Sequence, residues 1–112
     1  MDNVIITLQQ GKDFIDFSNY PSITENLRGG IERFYLRGIP PGGFLISVIC
    51  GNIRAVLHAD NYNSYDKNFR ELVYFFTQEV PAGWWGSQKA YDEVRKFHKE
   101  RKKGEVQSQV IT

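Results

Sequence analysis

Hydrophobic and polar positions change their rhythm along the chain. In residues 1–22, Val4, Ile6 and Leu8 alternate with Ile5, Thr7 and Gln9, a weak period of two that reads as a short strand. Gly11 and Lys12 break it, and Phe14, Ile15, Phe17 and Tyr20 follow before Pro21 stops the segment. No other segment is a clear strand to pair with. Residues 1–22 are therefore expected to form an extended arm. Either its own aromatics pack it down, or it pairs with a second copy of the chain in a homo-oligomer.

From Ser22 onward the period becomes helical. Ser22 or Thr24 can cap a helix whose apolar positions Leu27, Ile31, Phe34 and Tyr35 share one face. Gly29 and Gly30 weaken its first turns by roughly 1 kcal/mol each. Gly38 supplies a left-handed stop and Pro40-Pro41 forbids continuation, with Pro41 suited to open the next helix. That helix carries Phe44, Leu45, Val48 and Ile49 and ends or kinks at Gly51-Asn52. Asn52 can cap a short helix through Ile53, Val56 and Leu57. Asp60 caps a long one with Tyr62, Tyr65, Phe69, Leu72, Val73 and Phe76 inward and Glu71 and Glu79 outward. After Pro81 and Gly83 comes the turn PAGWWGS. Ser87 then caps a last helix with Ala90, Tyr91, Val94 and Phe97 on its inner face. The expected fold is mainly α, a compact bundle of four or five short helices with an extended N-terminal arm. The arm covers 1–22, a single helical domain 23–103 and a flexible tail 104–112.

Composition narrows the function. The chain has 112 residues, 41% hydrophobic and 14% aromatic, enough to build a core in one small domain. A net charge of +1 argues against a strongly basic nucleic-acid binder. One cysteine, Cys50, excludes an internal disulfide and a cysteine-rich zinc site. No apolar run approaches the roughly 20 residues of a membrane span, and the N-terminal residues lack the basic, apolar pattern of a secretory signal.

Enzyme signatures are mostly absent. His58 and His98 stand on different helices without metal-ligand spacing, and His58 and Asp60 fall on different sides of a helix. Cys50 lies in the apolar run LISVIC, where a thiol is buried and inert. No cofactor, metal or catalytic residue is expected.

Three features carry binding chemistry instead. GIPPGGFL at 38–45 places Pro41, Gly42 and Gly43 at the start of a helix, where free N–H groups attract anions, with Arg37 and Arg54 near in sequence. The bland alternative is a tight helix–helix corner. Trp84 and Trp85 are adjacent, so one indole is expected on the surface as a partner contact and one in the core. Residues 89–103 hold seven basic against three acidic side chains, with Arg95, Lys96, Lys99, Arg101, Lys102 and Lys103 available to phosphates. A solvated basic helix end is the alternative there.

The stretch from Ile31 to about Phe97 resembles a group of small proteins of tailed bacteriophages and prophages. The shared elements are GIPPGGFL at 38–45, Ala59-Asp60 before a long helix, and PAGWWGS at 81–87. The chain departs from the group at Trp84, at His58 and in its longer arm. The resemblance implies a phage or mobile-element origin and a site of action in the host bacterial cytoplasm, and it brings no activity with it. The resulting expectation is a non-enzymatic accessory protein that binds and inhibits or sequesters a host defence protein or a small anionic, nucleotide signal. The alternative is a small nucleic-acid-binding regulator using the basic C-terminal helix.

Overall fold

The computed structural model describes residues 3–52 and 66–111, with side chains over 4–52 and 70–102. Among these residues there are five α-helices and no strand: α1 (Asn3–Gln9), α2 (Glu25–Arg37), α3 (Gly43–Ile49), α4 (Asp66–Glu79) and α5 (Gln88–Ile111), with a 3-10 turn at Ala82–Trp84. The sequence-based expectation of a small helical bundle holds. The short helix beginning at Asn52, and residues 60–65 of the long one, lie outside the described residues.

Three local readings change. Residues 3–9 are helical, because Val4 and Thr7, both buried, and half-buried Leu8 stand at i, i+3 and i+4, a helical set hidden inside the apparent alternation. Pro41 does not open α3. Gly42 is its cap and Gly43 its first residue. The last helix runs on to Ile111, past the point where the apolar pattern dissolves.

α2 lies at the centre and packs against α1, α3 and α5. A Cβ built on Gly30 would come within 2.7 Å of Leu45 Cδ1 and 3.8 Å of Pro41 Cβ, so the glycine that weakens α2 is what lets α3 approach it closely. The core is aromatic. Phe34 stacks on Tyr91 with centroids 5.0 Å apart, and Phe75 takes Phe17 face-on and Tyr20 edge-on.

The segment 12–22 has no helix and is bound down by carboxylates. The Ile15 N–H donates to Glu32 at 2.7 Å, Ser22 donates its N–H and hydroxyl to the two oxygens of Glu71, and Tyr20 donates its hydroxyl to Glu79 at 2.7 Å. Glu71 and Glu79 were expected to face solvent. They are half-buried instead, because an arm of unpaired backbone needs acceptors and these two carboxylates lie under it.

Candidate functional site

The ends of α2 and α3, the tryptophan turn and α5 are tied into one structural joint. Gly38 ends α2 in the left-handed conformation (φ 75°), giving its N–H to Phe34, while the Ile39 N–H goes to the Arg33 carbonyl. A Cβ at Gly38 would lie 2.5 Å from the His98 Cβ, so bare backbone is what admits the imidazole. His98 Nε2–H donates to the Tyr35 carbonyl at 2.7 Å, which fixes the neutral tautomer. Burial holds its pKa below the usual 6.5, opposed by that hydrogen bond and aided by Arg101. The Tyr35 hydroxyl in turn donates to the Trp84 carbonyl at 2.9 Å. On the other side, Gly86 N–H donates to the Ile49 carbonyl, and a Cβ on Gly51 (φ 72°) would meet the Gly86 oxygen at 2.5 Å.

This joint corrects the reading of the tryptophan turn. Neither indole stands free. Trp84 lies parallel to Tyr35 (11° between planes) and packs on Phe97, while Trp85 packs on Phe76 at 5.5 Å. Both are half-buried, because Gly86 binds the turn to the end of α3 and presses both rings against the core. The inner face of α5 is likewise Ala90, Tyr91, Val94 and His98. Phe97 stays 40% exposed beside Trp84.

The corner is also only partly as expected. Pro41 packs toward α2, and Gly42 and Gly43 are exposed with open space where a Cβ would be, so close packing within the fold requires neither glycine. α3 has seven residues, too short to offer a developed dipole at its start. Arg54 lies outside the described residues, as does the side chain of Lys103.

Arg37 and the basic helix come together. Arg95, Lys99 and Lys102 follow a spacing of four and three along the flank of α5 beside Val94 and His98, a flank that faces the end of α2. Between them opens a cleft of about 530 Å³ lined by Arg37, Gly38, Ile39, Pro40, Arg95, Lys96, His98, Lys99 and Lys102. Five of its nine lining residues are cationic and none is a carboxylate. A second cleft continues from it past Leu36 and Arg101, sharing Arg37, Ile39, His98 and Lys102. The carbonyls of Arg33, Phe34 and Tyr35 at the end of α2 are each hydrogen-bonded. Ile39, 44% exposed, and Pro40 form the apolar wall. The cations are legible in the sequence, whereas the wall arises only on folding.

Another cavity, about 600 Å³, lies between the arm and α2. Its cations Arg28 and Arg33 are matched by Glu25 and Glu32, so it offers no net attraction to an anion. Cys50 donates weakly to Gln88, and burial pushes its thiol up, away from the nucleophilic thiolate. Among the described residues no cluster of His, Cys, Asp or Glu is fit to hold a metal, and no helix is long and apolar enough to cross a membrane. Set against protein-family models, curated proteins and solved structures, the chain matches none.

Proposed function

We propose that this chain is a non-enzymatic accessory protein that acts by binding and sequestering a small anionic ligand, with the cleft between Arg37 and α5 as its site. The observation carrying this reading is the convergence of Arg37, Arg95, Lys96, Lys99 and Lys102 around one concavity without a carboxylate. The resemblance to small phage proteins supports the bacterial cytoplasm as the place of action and brings no target with it. A host defence protein is the weaker target, because the indoles that would have anchored it are packed inward. The test is thermal denaturation with inorganic tripolyphosphate. A bound anion raises Tm by mass action, and the rise should vanish in Lys99→Glu and shrink at high salt. No rise in the folded wild-type protein removes the reading.

One observation favours a second reading, a nucleic-acid-binding regulator. The helix bearing the cations continues to Ile111, long enough to lie along a phosphate backbone. A gel-shift titration with a steep fall in affinity between low and moderate salt would favour it.

A further inference from the structure

Folding leaves a cationic wall and an apolar wall facing one another across the same cleft, and that pairing says more than charge alone. Arg95, Lys99 and Lys102 stand on consecutive turns of α5, with Arg37 reaching in from α2. Opposite the helix, Ile39 is 44% exposed, an aliphatic side chain set beside Pro40 at the lip of the cleft. A volume of about 530 Å³ falls in the range of small-molecule sites. Inorganic polyphosphate would use the cations and leave the apolar wall idle.

We propose that this cleft takes a nucleotide bearing two or more phosphates, with the phosphates against Arg37, Arg95, Lys99 and Lys102 and the ring against Ile39 and Pro40. The assignment rests on the anion-binding reading above and adds the chemical class of the ligand. Arginine forks bind phosphate oxygens in pairs, while lysines contribute point charge, so the mixture suits a short chain of phosphates. The ring gains contact with aliphatic surface that is otherwise wetted.

Isothermal titration of the full-length chain with ATP, GTP, inorganic tripolyphosphate and a 20-nucleotide single strand of DNA tests it. ATP or GTP should bind about tenfold more tightly than tripolyphosphate, the gain expected from covering one aliphatic side chain. Ile39→Ser, a change at an exposed site, should erase that difference and leave tripolyphosphate binding intact. Lys99→Glu should weaken all of them, and the nucleotide should be recovered chemically unchanged. Equal binding of tripolyphosphate and nucleotides would overturn the nucleotide assignment while the anion site stands. Binding of none of the four would remove both. Tighter binding of the DNA strand than of either nucleotide, lost in Lys99→Glu, would overturn it in favour of a nucleic-acid surface.

Discussion

His98 shows how one residue is settled by its neighbours. Positions 97 and 98 both follow Val94 at helical spacing, and hydrophobicity favoured Phe97 for the interior. The missing side chain at Gly38 and the acceptor at the Tyr35 carbonyl reverse that order, admitting an imidazole that donates one hydrogen bond. Its folded pKa lies below the unfolded 6.5, so the unfolded chain binds the proton more readily. Stability from this group is complete above about pH 6.5 and is lost as pH falls through the lower folded value. Denaturation at pH 7.5 and 5.5 should show a larger acid loss in the wild type than in His98→Gln; identical losses would refute the linkage. Gly38→Ala meets both a left-handed φ and the His98 Cβ, and should cost about 2–4 kcal/mol in urea unfolding. Tyr35→Phe strands the Trp84 carbonyl and should cost about 1–2 kcal/mol by the same measurement.

At the scale of elements, the N-terminal segment depends on others for its order. A helix of seven residues such as α1 does not persist alone in water, and the stretch after it has no backbone ladder of its own. Glu32, Glu71 and Glu79 supply the acceptors. Glu71→Ala should therefore speed amide exchange at Ser22 and its neighbours while the amides of α2 keep their protection. Equal exchange in both proteins would show that aromatic burial alone holds the arm. The helices from 25 onward were legible because their stops are chemical: Gly38, Pro40-Pro41, Gly51, Pro81 and the Ser87 cap, whose hydroxyl accepts from the Ala90 N–H. The arm was not, since Val4, Ile6 and Leu8 satisfy a two-residue period while Val4, Thr7 and Leu8 satisfy a helical one. Only the docking surface on α2 chooses between them.

For the molecule as a whole, near-neutral total charge conceals a strong local field. Residues 89–103 hold seven of the 14 basic side chains, and the fold lays their flank against Arg37. Tripolyphosphate binding should therefore weaken markedly between 50 and 300 mM salt, despite a net charge of only +1. A salt-independent isotherm would contradict a cationic site. Each half of the cleft could be read from the chain, Arg37 beside a glycine stop and a basic helix end. Their meeting could not, because it depends on α5 crossing the end of α2, which is fixed by Tyr35, His98 and Gly38 together. The tryptophan turn misled for a related reason: its exposure is governed by a hydrogen bond to Ile49, which no local pattern reveals.

The crossing of Gly51 and Gly86 has a consequence of its own. It is made of peptide groups touching peptide groups, so no side chain is there to be trimmed or swivelled when the spacing is wrong. Loop length becomes the quantity under constraint. An inserted or deleted residue in either bend would pull the two strands of chain out of register, whereas rim substitutions at Ala82 or Gly83 leave the clasp fastened.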